Sequence, residues 1–202
     1  MKPEIQRTLD ALEQQWQAER EERRGGGRGQ RDERLLAVGQ DAGRFLNTLA
    51  RATGAKRALE VGGSMGYSAI WTGEAIQATG GKLTTLEAVP GKVAVLHARI
   101  AQAGLEDTVE VVAGDARQTL SSLAGPWDLV LVDAWKDDYP RYFDLIFPKL
   151  SIGGLMLADN ITSPSPPGPG IDEYLRKARS HPNAQSQLVP LGNGLELTVR
   201  LR

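Results

Sequence analysis

The sequence predicts an α/β fold, a doubly wound and mostly parallel seven-stranded sheet that ends in an antiparallel hairpin. Five short apolar runs, Ala58–Val61, Leu83–Leu86, Val109–Val112, Leu129–Val132 and Leu155–Ala158, alternate with stretches suited to helices, such as Val93–Ala103. The runs at Leu129 and Leu155 are apolar at consecutive positions, as strands covered on both faces require. Near the end, Ser186–Pro190 and Leu195–Leu201 flank Gly192-Asn193-Gly194, a strong hairpin signal.

In chain order, Ile5, Leu9, Leu12 and Trp16 recur at helical spacing and predict an amphipathic helix. Its apolar face requires cover from the domain or from a second subunit, so a homodimer is compatible with it. From Glu19 to Arg34 almost nothing is apolar, and Gly25-Gly26-Gly27-Arg28-Gly29 follows a run of alternating charge. Such a stretch buries too little to offset its ordering entropy and is expected to be a mobile loop, either a linker or a lid over a ligand. Residues 1–34 are therefore set apart from one α/β domain over 35–202. Phe45, Leu46, Leu49 and Ala50 predict a second helix closing at Gly54. Ser165-Pro166-Pro167-Gly168-Pro169-Gly170 reads as a stiff, irregular loop.

Composition narrows the function classes. The 202 residues carry 24 Lys+Arg and 25 Asp+Glu, a formal charge of −1, which gives no general attraction for nucleic acid or an acidic membrane. Cysteine is absent, so disulfides, thiolate metal sites and cysteine nucleophiles are excluded. No signal-peptide core or membrane-length apolar run is visible, and the expectation is a cytoplasmic protein whose partner is a small molecule.

The segment Glu60-Val61-Gly62-Gly63-Ser64-Met65-Gly66-Tyr67-Ser68 follows the first strand and opens a helix, a Rossmann-like turn in which glycines let a ligand approach the backbone. Glu87 closes the second strand, where a carboxylate can accept from both hydroxyls of a ribose. A nucleoside ligand follows, and NAD and S-adenosylmethionine both fit. Glu60 would repel a pyrophosphate, which favours S-adenosylmethionine with its sulfonium and ammonium charges. Asp115-Ala116, after the third strand, either completes an adenine pocket or forms a surface turn.

Asp133, Asp159 and Asn160 sit just past the fourth and fifth runs. Two carboxylates and an amide at neighbouring strand ends make an oxygen site for a hard divalent cation such as Mg²⁺. Lys136, three residues after Asp133, is a candidate base beside it. Taken singly, each also has an ordinary role: a solvated lysine, or a turn and helix cap.

With these three segments in this order, the chain resembles the metal-dependent S-adenosylmethionine O-methyltransferases, the family of catechol and caffeoyl-CoA O-methyltransferases, over about Leu36 to Leu201. The resemblance implies Asp133, Asp159 and Asn160 as Mg²⁺ ligands and Lys136 as the base. It implies Val38, Glu60, Gly62, Ser68, Glu87, Asp115, Ala116, Asp133 and Trp135 as cofactor contacts, with Trp135 packing at the adenine. Glu196, in Gly194-Leu195-Glu196, matches a glutamate that bonds the second catechol hydroxyl, and Pro164 matches one wall of the acceptor pocket. Lys136, Asn160, Pro164 and Glu196 would thus meet the substrate. Arg34 stands where the catechol enzymes carry an aromatic gatekeeper. The expected activity is Mg²⁺-dependent methylation of a small catechol. The alternatives are a caffeoyl-CoA-type enzyme acting on a larger phenolic thioester, a non-catalytic nucleoside-binding module, and an NAD-dependent oxidoreductase, which would leave Asp133, Asp159 and Asn160 without a purpose.

Overall fold

The computed structural model describes residues 1–24, 34–163, 165 and 168–202. Its strands are β1 (Arg57–Val61), β2 (Lys82–Glu87), β3 (Val109–Ala113), β4 (Trp127–Val132), β5 (Leu150–Ala158), β6 (Ala184–Val189) and β7 (Leu195–Arg200). They form one sheet in the order β3-β2-β1-β4-β5-β7-β6. The first five are parallel, and β7 runs antiparallel to both β5 and β6. The predicted sheet and hairpin are therefore present.

The helices are α1 (Pro3–Arg24), α2 (Gln40–Thr53), α3 (Tyr67–Thr79), α4 (Pro90–Gln102), α5 (Ala116–Ser122), α6 (Tyr139–Ile146) and α7 (Pro169–Ser180). Side chains on a strand alternate between faces, so a strand apolar throughout serves two cores. Leu129, Leu131, Leu155 and Leu157 join Leu46, Ile70 and Leu96 in the core beneath α1 to α4. Val130, Val132, Met156 and Ala158 join Leu120, Tyr139, Phe143 and Tyr174 beneath α5 to α7. Each fully buried leucine contributes roughly 1.5–3 kcal/mol.

The apolar face of α1 is covered within the domain: Ile5, Leu9 and Leu12 are buried in the first core. This helix also runs further than expected, because the stretch read as loop from Glu19 is helical to Arg24. Glutamate and arginine are good helix formers, and local contacts hold the last turns. Arg20 lies over the Trp16 ring at 4.5 Å, and Gln15 donates to Glu19 at 2.8 Å. Glu19 also accepts the Leu35 backbone N–H at 3.0 Å, which ties the end of α1 to the domain entrance. The remainder of that predicted loop, 25–33, lies outside the described residues.

The proline-rich loop also differs from expectation at its end, since Pro169 and Gly170 open α7. Proline suits the first helical turn, where its missing N–H costs nothing. A Cβ on Gly170 would collide with the carbonyl of Lys136, so the glycine lets α7 seat directly on the turn that carries the candidate base. No helix among the described residues is long and apolar enough to cross a membrane.

Candidate active site

Strand order decides where a site can form. β1 lies between β2 and β4, and the connections that follow β1 and β4, to α3 and α6, leave toward opposite faces of the sheet, so a crevice opens beyond the carboxyl ends of these strands. A cleft of about 1570 Å³ occupies that crevice, large enough for two reactants. Its wall includes Val38, Gly62, Glu87, Asp115, Ala116, Asp133, Trp135 and Asn160 from the sequence-derived set.

Gly62 stands at the closest approach of β1 and β4. Its φ is +99°, and a Cβ there would collide with the Asp133 carbonyl. Gly62 and Gly63 both donate to the Leu86 carbonyl at 2.9 Å, which closes the turn over the end of β2. The Glu87 carboxylate accepts the Ser64 N–H at 2.7 Å and the Val89 N–H at 2.8 Å, so the backbone on either side fixes its direction. Val38 is buried in the segment that precedes α2.

Glu60 and Ser68 lie beneath the glycine turn, both buried. Burial pushes the Glu60 carboxyl up to about 7. The Ser68 and Thr85 hydroxyls oppose that rise, and the Asp133 and Glu87 charges add to it. Thr85 donates to Oε2 at 2.5 Å, while the buried Oε1 has no well-formed hydrogen bond among the described residues.

Asp115 caps α5, accepting the Arg117 backbone N–H at 2.8 Å. Its carboxylate also takes the Arg117 guanidinium at 2.6 Å, and these two contacts hold it below the usual carboxylate range. The cap and the cleft position coexist. Trp135 is 62% exposed at the mouth of the cleft.

Val132 and Ala158 are paired in register, which brings Asp133 and Asp159 together one residue beyond. Asp159 is buried, and burial followed by the Asp133 charge raises its carboxyl above the ordinary aspartate range. Lys136 Nζ lies 3.1 Å from Asp133 Oδ1 and donates to the Tyr139 hydroxyl at 2.7 Å. The lysine is turned inward and, like Asp159, is not among the residues lining the cleft. Asn160 adopts the left-handed conformation with φ +59°, which asparagine tolerates better than most residues. The following N–H groups of Ile161 and Thr162 are held by the carbonyls of Gly194 and Asn193 at 3.0 and 2.9 Å.

Two adjacent carboxylates with one lysine leave surplus negative charge, and the amide of the next residue, Asn160 on the cleft wall, would supply a third oxygen. This donor set fits a hard divalent cation. No group of three or more His, Asp or Glu side chains suited to a metal occurs among the described residues, so the amide is needed to complete the set.

Glu196 is not brought to this cleft. It pairs with Ala158 across β5 and β7, and partners in a ladder share a face. That face is the one under α7, where Glu196 is fully buried against Arg179 at 2.7 Å and Ser186 at 2.7 Å. The expected substrate carboxylate is thus engaged in an internal ion pair. Pro164 lies outside the described residues.

Further residues join the wall, among them arginines of the 20–34 stretch, which the sequence offers as a basic patch for a larger acyl thioester. Glu13, Trp16, Arg20 and Arg24 of α1 line the cleft together with Arg34, and so do Gly192 and Asn193 of the hairpin turn. Tyr139 joins the lysine to the strand ends. Its spacing of three from Lys136 is the one sequence signal that could have identified it.

An O-methyltransferase family profile matches residues 28–165. The chain is 38% identical over 130 residues to a catechol O-methyltransferase of Niastella koreensis, a match covering 62% of this chain and 58% of that relative. It thus spans little more than half of that relative's length. It is 28% identical to caffeoyl-CoA O-methyltransferase 5 of Nicotiana tabacum over 83% of this chain and 78% of the other. Among solved structures, it is similar to the O-methyltransferase TomG of Streptomyces achromogenes, determined in complex with S-adenosylmethionine. There the TM-score is 0.79 at 29% identity, over 95% of this chain and 90% of that one.

Proposed function

Because the chain belongs to the O-methyltransferase family, we propose that it moves a methyl group from S-adenosylmethionine to a hydroxyl of a small catechol, with Mg²⁺ or a similar divalent cation bound at Asp133, Asp159 and Asn160. The observation that carries this is the convergence of Asp133, Asp159 and Lys136 at the ends of β4 and β5, beside a cleft wall bearing Asn160 and the glycine turn. The methyl donor in TomG and the catechol named for the Niastella relative lend it support.

S-adenosylmethionine would supply an electrophilic methyl on a sulfonium. A divalent cation would supply Lewis-acid acidification of a hydroxyl bound to it. The remaining work falls to the chain. Glu87, already oriented by two backbone N–H groups, holds the ribose, and Gly62 lets the turn that faces the methionine portion close against the Asp133 backbone. Lys136 Nζ, in its neutral amine form, takes the proton of the acceptor hydroxyl and becomes the ammonium that pairs with Asp133. Asn160 and the hairpin turn bound the acceptor, and Trp16 with the end of α1 shields it from water. Holding two reactants in line accounts for up to about 7–11 kcal/mol of barrier in favourable systems.

A larger, CoA-linked phenol is the second reading, favoured by Arg20, Arg24 and Arg34 on one cleft wall and by the Nicotiana relative. An NAD-dependent reaction would give Asp133, Asp159 and Asn160 no task. We likewise take residues 35–202 as the catalytic domain, the protein as cytoplasmic, and α1 as a wall of the site.

The test is transfer of labelled methyl to 3,4-dihydroxybenzoate or caffeic acid with Mg²⁺ and with EDTA. Transfer that needs Mg²⁺, disappears in Asp159→Ala and leaves S-adenosylmethionine binding to that variant intact is the expected result. Full turnover of Asp159→Ala in EDTA would remove the metal from the mechanism.

A further inference from the structure

We propose that the Tyr139 hydroxyl is the positioning group for Lys136, a buried clamp that refers the lysine ammonium to the ends of both strands bearing the candidate metal ligands. The inference rests on the reading of Lys136 as the base.

The hydroxyl accepts from Lys136 Nζ at 2.7 Å. Its own proton has two acceptors within reach, the Val132 carbonyl at 3.0 Å and the Asp159 carbonyl at 3.1 Å. Val132 is the residue before Asp133 and ends β4; Asp159 follows the last residue of β5. One oxygen therefore joins the base to the backbone beside each carboxylate. The ring is fully buried and wedged against Tyr174 at 5.7 Å and Tyr142 at 6.4 Å between centroids, so the hydroxyl has little freedom to move. Lys136 Nζ lies 4.8 Å from the Tyr139 ring centroid, as its bond to the hydroxyl at the ring edge requires.

The consequence follows from what lysine is. Its four-carbon stem has several rotatable bonds, and an ammonium held only by Asp133 could swing about that single contact. Two fixed partners, the Asp133 carboxylate and the Tyr139 hydroxyl, leave one head-group position. Gly170 seats α7 behind the same turn, so the Lys136 backbone is held as firmly as its tip. Because the Tyr139 ring is fully buried while the Lys136 side chain is partly exposed, Tyr139 acts through Lys136 and does not touch the acceptor.

The deciding variant is Tyr139→Phe, which keeps the ring and its packing and removes one oxygen. Three readouts separate a positioning role from a merely structural one. In the chain free of cofactor and metal, the Nζ signal of ¹⁵N-labelled Lys136, assigned with Lys136→Met, should be sharp in the parent and broadened by faster proton exchange in Tyr139→Phe. In turnover, kcat should fall about tenfold with the acceptor KM and S-adenosylmethionine affinity within twofold of the parent. In a double-mutant cycle, Tyr139→Phe should have no further effect on kcat in the Lys136→Met background.

An unchanged Lys136 signal in Tyr139→Phe would overturn the proposal, as would an equal kcat loss with and without Lys136. Should Tyr139→Phe fail to fold, a nuclear Overhauser contact between the Lys136 ε-methylene and the Tyr139 ring in the parent decides instead, and its absence refutes the clamp. If Lys136→Met retains full turnover, the assignment of the base falls, while the Nζ signal still reports whether Tyr139 holds the ammonium.

Discussion

Glu60 is a carboxyl buried near the end of β1, and replacing it with glutamine should change how the stability of the protein depends on pH. Burial raises the folded-state carboxyl to about 7 from an ordinary value of 4.5. Between these values the folded chain holds a proton that the unfolded chain releases, so stability falls as pH rises. The contribution is fully present below pH 4.5 and is lost as pH passes through about 7. At about 1.4 kcal/mol per pH unit across that window, the loss approaches roughly 3 kcal/mol, a ceiling that any entering water reduces. Glutamine cannot ionise, and its oxygen can still accept from Thr85. Its amide group would stand where Oε1 lacks a well-formed hydrogen bond, at a fixed cost of about 1–3 kcal/mol that does not vary with pH. The assay is urea unfolding of both proteins from pH 4.5 to 8, without cofactor and with chelator, comparing midpoints at equal m-values. Relative to the parent, Glu60→Gln should gain up to about 3 kcal/mol between the two ends. Other titrating groups, Asp159 among them, cancel in this difference. Parallel stability profiles would refute a carboxyl raised by burial.

Further outcomes follow from the same geometry. Gly62→Ala forces a Cβ into the Asp133 carbonyl at a backbone angle that alanine resists, so it should lose at least about 1–3 kcal/mol of stability and weaken S-adenosylmethionine binding; an unchanged melting temperature and affinity would contradict the close β1–β4 approach. Arg179→Ala strips the fully buried Glu196 of its ion partner and should cost about 3 kcal/mol, the lower end for a broken buried pair because the arginine is half exposed. Thermal melting checks it. Glu196→Gln should leave the acceptor KM unchanged, and a large rise in KM would restore Glu196 to the acceptor site.

The parallel strands were legible because each is a short apolar run with its boundaries written locally in glycine, proline and charge. The candidate ligands were legible for the same reason: Asp133, Asp159 and Asn160 are the first polar residues after runs that must end at the sheet's edge. Local rules mislead where two of them compete closely. Charge without apolar residues predicts loop from Glu19, yet contacts one turn apart and a tie to Leu35 extend α1 to Arg24. Pro169 reads as part of a stiff loop, although proline suits the first turn of a helix equally well, and it opens α7.

What the sequence alone determined was the class of fold, the identity of the strands and the chemistry available at their ends, since these depend on neighbours a few residues apart. Tertiary structure decided the strand order that brings Gly62 against Asp133, the face on which Glu196 lies, the cover of α1 by its own domain, and the meeting of Tyr139 with Lys136, Val132 and Asp159. Each depends on pairing between distant segments. A one-residue alternation along β7 is enough to turn a carboxylate away from the cleft, and only the register of β7 against β5 resolves which way it points.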